Sequence, residues 1–456
     1  MEIFDLIVIG GGPAGYLGAE RAAAAGLSTL LIEKNMIGGV CLNEGCIPSK
    51  TLLYSAKLLD NAVYGEKYGV TAGNIRFDHK AVISRKNKVV KKLVTGIKSK
   101  LASLNVTVAE GSAYIEKKSA DGYAVTAGDK TYTGRRLLIA TGSQPVIPGI
   151  PGAREGLDKG YVLTNREILD LDEVPEKLVV VGGGIIGLEM ASYYNSAGSR
   201  VTVIEMLDHI GGQTDREVSN ILRKGYEKKG VVFSLDSKVV DISDKGVEFG
   251  HNGGRSFIEA DKVLLSIGRQ ASVKGLGLEN IGVELHMNAI KTDLHCRTNV
   301  PEVYAAGDVN GKSMLAHTAY RESEVAVSNM GGIRDIIRYH TVPSVIYTNP
   351  EVACIGETEE TAAAKGMNYQ LTKLSMMFSG RYAAENEGGD GIFKLLTDKE
   401  TSKIIGAHMI GNPASEIIYG IGIMMENEMR IKDIKELVFP HPTVSEIIRE
   451  AIFNIR

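Results

Sequence analysis

Cysteine is scarce in this chain, with four in 456 residues. Four cysteines in so long a chain do not make the disulfide framework of a small secreted protein. Long apolar runs are missing too: none approaches the ~18 to 20 residues needed to span a bilayer, so no membrane segment is expected. Nor does one sign of charge dominate. The 52 Lys and Arg against 55 Asp and Glu leave a net charge of −3, and neither nucleic acid nor an anionic membrane is expected as a partner. Met1-Glu2-Ile3-Phe4-Asp5 carries no basic n-region followed by an apolar h-region, so no secretory signal is read there and a cytoplasmic location is expected. The densest basic stretch, with Lys86, Lys88, Lys91, Lys92, Lys98 and Lys100 set among apolar residues at helical spacing, reads as the solvated face of an amphipathic helix.

What the chain does have is 44% hydrophobic residues, 23% charged residues and 53 glycines. That describes an α/β protein with many tight turns, long enough for two to four domains. Compared with itself, the chain is duplicated. Ile3 to Ile9 reads as a strand, Gly10-Gly11-Gly12-Pro13-Ala14-Gly15 as a turn, an alanine-rich stretch to Gly26 as a helix, and Thr29 to Glu33 as a second strand. Gly10, Gly12, Gly15, Gly26 and Glu33 recur as Gly182, Gly184, Gly187, Gly198 and Glu205, each 172 positions later without a gap. In each copy the first glycine permits the strand-to-helix turn, the second lets backbone approach a pyrophosphate, and the third permits close helix–strand packing. The pyrophosphate then sits at the positive end of the helix. The terminal glutamate is placed to accept hydrogen bonds from ribose hydroxyls. Two dinucleotides are expected.

Further apolar runs end at small residues where ligand crevices form: Arg136 to Thr141-Gly142, Lys262 to Gly268-Arg269, and Val303 to Gly307-Asp308. Asp308 reads equally as a hydroxyl acceptor for a ribitol or ribose and as a helix cap. Pro145, Pro148 and Pro151 suggest a linker. Beyond about residue 340 short strands (Ser344–Tyr347, Gly391–Thr397, Ile404–Ile410) and two helices (Ser415–Met429, Thr443–Asn454) read as a separate α+β domain.

Cys41-Leu42-Asn43-Glu44-Gly45-Cys46-Ile47-Pro48-Ser49-Lys50 is the most informative segment. Pro48 suits a first helical turn, and Leu52, Leu53, Ala56 and Leu59 continue the helix. Cys46 then lies near a helix N-terminus, where the dipole favours a thiolate. Residues five apart in one ideal helix are too distant for a disulfide, so the Gly39–Gly45 stretch is expected to be partly non-helical. As a staple, so short a loop contributes only about 2 kcal/mol, and a cycling redox pair is favoured. No second Cys/His pair accompanies the motif, and no metal is expected. Cys296 and Cys354 read as ordinary thiols.

In these motifs the chain resembles the flavin-dependent pyridine-nucleotide disulfide oxidoreductases, from Phe4 to about Ala451. The matching segments run in the family's order: Gly10–Gly15 with Glu33, Gly39 to Lys50, Ala140-Thr141-Gly142, Gly182 to Glu189, Ala306-Gly307-Asp308, Leu315-Ala316-His317, Tyr347 to Glu351, and His441-Pro442-Thr443-Val444-Ser445-Glu446. The resemblance implies an α/β fold of two Rossmann-like dinucleotide-binding domains plus a C-terminal α+β dimerisation domain. Residues 1–147 would bind FAD, 148–270 NAD, 271–340 would complete the FAD domain, and 341–456 would form the interface. It implies FAD and NAD as cofactors, held by Gly10, Gly12, Gly15, Glu33, Lys50, Thr141, Gly142, Asp308, Ala316, Gly182, Gly184, Gly187, Glu189, Glu205 and Gly268. Cys41 would exchange with a dithiol substrate, and Cys46 would be the flavin-proximal sulfur. Lys50, paired with Glu189, would sit near the flavin. His441, oriented by Glu446, would be the acid–base, reaching the cysteines of the other subunit of a homodimer. Within the family the best match is to members that oxidise dihydrolipoyl groups carried by another protein. Reduction of glutathione-type disulfides and an NADH oxidase-like activity are the alternatives. Glu44, Pro440 and Tyr320-Arg321-Glu322-Ser323 depart from the family pattern and bear on rate and substrate preference.

Overall fold

The repeated strand–turn–helix–strand pattern folds into two parallel βαβ units. In the computed structural model residues 3–251 and 253–455 are described. Met1, Glu2, Asn252 and Arg456 lie outside them, the start of the expected signal-free N-terminus and the last residue of the expected final domain included. The chain packs as two units. One gathers residues up to 51, 83–146 and 268–338, the other 52–82, 147–267 and 339 onward.

In the first unit Ile3–Ile9 pairs in parallel with Thr29–Glu33 on one side and Lys130–Ile139 on the other, and helix Pro13–Ala24 makes the crossover. Leu6 to Ile9, Leu30 to Ile32 and Leu137 to Ile139 are all at most 2% exposed. These near-continuous apolar runs are what a parallel strand covered on both faces requires. Val303–Ala305 joins the same sheet beside Lys130–Ile139, and so delivers Asp308 to the end of that sheet. The segment read as a linker starts differently: Ser143–Pro145 is a short strand, antiparallel to Arg269–Ala271.

The second unit holds the second copy, with Lys177–Val181 between Arg200–Ile204 and Lys262–Leu265. It also holds a five-stranded sheet in the order Ser344–Ile346, Val352–Gly356, Ile404–Ile410, Ile392–Asp398, Tyr369–Ser375. The stripe Ile417, Ile418, Ile421, Met424 and Met425, which suits an interface or a core, serves the core. All five are buried with Ala353, Ile355, Ala407 and Met409. Tyr419, Ile423 and Val438 are among the apolar residues this region leaves in water, with Phe378, Leu437 and Phe453; Val438 is 95% exposed.

One basic residue is misplaced by the sequence reading. Helix His79–Ser103 exposes Lys88, Lys91, Lys92, Lys98 and Lys100, but Lys86 is 3% exposed. Lys86 is four residues after Val82 and three and four before Val89 and Val90, so helical geometry puts it on the apolar stripe. Lys394 is likewise buried, and here the reason is visible. Its ammonium donates to Asp215 at 2.7 Å and pairs with Glu359. Burial alone would lower its pKa; these two carboxylates outweigh that and hold it raised. Asp215 also caps helix Arg216–Lys228, accepting from the N–H groups of Glu217 and Val218.

Candidate active site

The two glycine turns are built alike down to their hydrogen bonds. Gly10 and Gly182 have φ of +102° and +104°, a region L side chains avoid. A Cβ on Gly15 would stand 1.7 Å from the carbonyl oxygen of Gly10, and one on Gly187 2.2 Å from that of Gly182. The third glycine is therefore required by the turn itself as well as by helix–strand packing. Glu33 accepts from the N–H groups of Gly11 (2.5 Å) and Asn35 (2.7 Å), and Glu205 from those of Gly183 (2.6 Å) and Leu207 (2.8 Å). Each carboxylate oxygen keeps a further lone pair for a ribose hydroxyl. The helices that follow start at Gly12 and Gly184 with no side chain capping their first N–H groups.

Cys41 lies in a short helix, Gly39–Glu44, and Cys46 opens the next, Cys46–Val63. The stretch expected to be partly non-helical is in fact helical up to Glu44, and only Gly45 leaves it, at φ −153° and ψ −106°. That single break lets the two sulfurs meet: both thiols are free, and they share a hydrogen bond. This hydrogen bond, then burial, pushes the Cys41 thiol well up, against the opposing pull of the Lys50 charge. Pro48 falls in the first turn of its helix, as expected. The helix carrying Cys41 lies against the first glycine turn. A Cβ on Gly39 would come within 2.5 Å of the Gly12 Cα, so bare backbone faces bare backbone there.

Asp308 is not a helix cap. Its carboxylate accepts from the Ser143 hydroxyl at 2.5 Å, and the Ser143 oxygen in turn accepts from Arg269 Nε at 2.7 Å. Arg269 also donates to the Ser143 carbonyl at 2.9 Å. Burial raises the Asp308 pKa; the hydrogen bond from Ser143 and the Arg269 charge oppose it. Thr141 is fixed by donating to the Ser272 carbonyl, and Gly142 and Gly268 both take positive φ. Ala316 is the first residue of helix Ala316–Met330. From that helix the fully buried Glu322 accepts from the Gly307 N–H (2.6 Å) and Asn310 (2.9 Å), which fixes the turn bearing Asp308. Ser143, Arg269 and Glu322 were missed as site residues. The first two directly follow Gly142 and Gly268, at strand ends already singled out.

In the second unit His441 is exposed, and its Nδ1 meets Glu446 at 2.7 Å. Glu446 also accepts from the Thr443 N–H; that bond first, and His441 second, hold its carboxyl below the usual range. The carboxylate therefore takes the Nδ1–H and leaves Nε2 as the open, basic nitrogen. Glu189 is 3% exposed and accepts from the Tyr347 N–H at 3.1 Å. Burial pushes the thiol of Cys354 up to about 12 and that of Cys296 well above its ordinary value, so neither is a reactive thiol. Among the described residues no group of three or more His, Cys, Asp or Glu is arranged for a metal ion, and no helix is long and apolar enough to cross a membrane.

Residues 4–323 match the pyridine nucleotide-disulphide oxidoreductase family, and residues 342–452 match its dimerisation domain. The chain belongs to the pyridine nucleotide-disulphide oxidoreductases, enzymes that work with FAD and NAD. Among its relatives, the dihydrolipoyl dehydrogenase of Mycoplasma pneumoniae is 38% identical, covering 99% of both chains. The mitochondrial dihydrolipoyl dehydrogenase of Pisum sativum is 37% identical over 98% of this chain and 90% of its own. Among solved structures, LpdA of Mycobacterium tuberculosis superposes with a TM-score of 0.90 at 26% identity, over the whole of both chains. The HOCl-induced flavoprotein disulfide reductase RclA of Escherichia coli does so with a TM-score of 0.87 at 27% identity, also over the whole of both. The residues present fit the two cofactors: uncapped helix starts at Gly12 and Gly184, each with a strand-end carboxylate, Glu33 or Glu205, fixed by two backbone N–H groups.

Proposed function

We propose that the chain is a flavoprotein disulfide oxidoreductase that oxidises protein-bound dihydrolipoyl groups and reduces NAD. The observation that carries this reading is the Cys41–Cys46 dithiol at the Gly45 break, beside the Lys50 charge and against the first glycine turn. In this reading 1–147 bind FAD, 148–270 bind NAD, 271–340 complete the FAD domain, and 341–456 supply His441 and the dimer interface. The enzyme is placed in the cytoplasm as a homodimer serving a lipoyl-bearing protein. The exposed Tyr419, Ile423 and Val438 support an interface in that last domain, since apolar groups left in water mark contact surfaces.

The chemistry begins with the pair oxidised. A substrate thiol gives its proton to His441 Nε2, and its sulfur attacks Cys41. The Cys41–Cys46 bond breaks as the mixed disulfide forms, and Cys46 leaves as a thiolate. The second substrate thiol then displaces Cys41, which leaves the dithiol seen here and a lipoyl disulfide. A bound FAD would supply the two-electron acceptor for this dithiol and the hydride donor for NAD. Lys50 holds negative charge on the sulfurs. Glu33, Thr141 and the Asp308–Ser143–Arg269 chain would hold the flavin dinucleotide; Glu205 and the second glycine turn would hold NAD.

The test is the visible spectrum during anaerobic titration with dihydrolipoamide. A long-wavelength band that is complete at two electrons per flavin is the expected result. Flavin bleaching with no such band, or no reduction at all, would reject a dithiol–flavin relay.

Cofactor choice gives a second measurable outcome. The Glu205 carboxylate is fixed by two backbone N–H groups and repels a 2′-phosphate while accepting from a free 2′-hydroxyl. Met206 and Leu207 follow it, and the nearby Arg216 donates to Asp208 at 2.8 Å. Catalytic efficiency with NAD should exceed that with NADP by at least tenfold, about 1.4 kcal/mol. Equal efficiencies would contradict the role given to Glu205.

A further inference from the structure

Outside the residues assigned above, the first unit has an open cleft of about 350 Å³ lined by His295, Arg297, Asn329, Gly332, Ile333 and Arg334. We propose that this cleft, between the 293–297 turn and the C-terminal end of helix Ala316–Met330, is a binding site for a phosphate-type oxyanion.

His295 and Arg297 are held in place, and among the described residues no carboxylate pairs with either or with Arg334. Asn329 is 7% exposed; its amide N–H groups donate to the Val325 and Asp335 carbonyls, and its oxygen accepts from Arg297 at 3.2 Å. Arg297 is thereby steered by a buried side chain, and no carboxylate pairs with it among the described residues. His295 is fixed through Nδ1 against the Asp335 carbonyl at 2.6 Å, which leaves Nε2 available. Arg334 is exposed and makes no hydrogen bond or ion pair with any described residue. Of the two acids in these segments, Asp335 is taken up by a guanidinium and Asp293 is tied to backbone through one of its oxygens. Asp335 takes a two-pronged bond from Arg321, at 2.8 and 2.5 Å. Asp293 accepts from the backbone N–H groups of His295 and Arg297 through one oxygen. Two guanidinium groups therefore face one cavity with neither satisfied by a carboxylate.

That chemistry selects the ligand. Guanidinium presents a planar fork of donors that matches phosphate oxygens bidentately and keeps its charge at any physiological pH. The exposed Ile333 at the rim, 67% in water, suits the small organic body of a phosphate monoester better than bare phosphate. The occupant we assign is a phosphomonoester, bound through its terminal group.

The experiment is calorimetric titration of the FAD-loaded protein with NAD saturating, at ionic strength held constant with chloride. Inorganic phosphate and glycerol 3-phosphate are the two probes. One saturable site per chain is expected for both, with the ester binding at least as tightly. Arg334→Ala should weaken binding tenfold or more, and Lys100→Ala on the distant basic helix should leave it unchanged. An unaltered flavin spectrum and melting temperature establish that Arg334→Ala is folded. If phosphate binds and the ester is excluded, the site stands but its occupant is the free ion, and the monoester assignment falls. Absence of saturable binding, or binding that Arg334→Ala leaves intact, overturns the site.

Discussion

Serine in place of Cys41 is expected to lower lipoamide turnover on the order of a thousandfold or more, the scale of losing a covalent nucleophile. The flavin should stay bound, because the residues proposed to hold it do not include this sulfur. The serine hydroxyl can donate a hydrogen bond to Cys46 in place of the one the two thiols share, so the remaining sulfur keeps a donor beside it. With one sulfur left and no disulfide possible, the Cys46 thiolate has nothing to attack. The variant should therefore show the long-wavelength thiolate–flavin band without any reductant. Cys46→Ser should be equally inactive and lack that band. The two variants thus separate an interchange sulfur from a flavin-proximal one. Near-normal lipoamide activity in either, or the band appearing in the wrong one, would refute the assignment.

The second large effect concerns where the base comes from. His441 carries its orienting carboxylate within its own segment, while its Nε2 has no described partner and its side chain is 78% exposed. A general base so prepared and so exposed is suited to a surface that another chain covers. His441→Gln alone should cost about 10²- to 10⁴-fold, the usual worth of positioned proton transfer. Co-expressing Cys41→Ser and His441→Gln chains with different tags then gives a decisive readout. A two-fold dimer exchanges its contacts reciprocally. The purified heterodimer holds one site with both lesions and one with neither, and should recover about half of wild-type activity. A verified heterodimer with no recovery would mean that the histidine serves its own chain, or is not the base.

The parts of the site legible from sequence were those in which local chemistry dictates geometry. Gly10 and Gly182 need positive φ, Gly15 and Gly187 must clear a carbonyl, and a break is needed between Cys41 and Cys46; each leaves a mark in the residues at that spot. The parts that were not legible depend on pairing between distant segments. Ser143 meets Asp308 across 165 positions and Arg269 across 126, and no local pattern encodes either. Glu322 stands in a segment that departs from the family pattern, and nothing local to it marks the Gly307 turn that folds against it. Lys86 was misassigned because composition was weighed over phase: its place on the apolar stripe follows from counting fours. The Ile417–Met425 stripe could not be decided from periodicity, since core and interface demand the same spacing.

Lys394 has a consequence for how this chain can be altered. Its ammonium is shared between Asp215, which caps helix Arg216–Lys228, Glu217 at 3.5 Å in the first turn of that helix, and Glu359, which opens a helix far along the chain. Loss of either member of the buried Lys394–Asp215 pair costs about 3–5 kcal/mol, a large part of the 5–15 kcal/mol that keeps a typical domain folded, while the more exposed Glu359 and Glu217 contribute less. Replacing all the members with apolar residues can cost nothing. Single steps along that route are therefore closed, and Lys394 and Asp215 have to be inherited together, with Glu217 and Glu359 beside them. A chimera that takes residues 148–270 from one relative and the C-terminal domain from another would split the set. Such a hybrid should be built with position 215 matched to positions 359 and 394, however well the remaining surfaces agree.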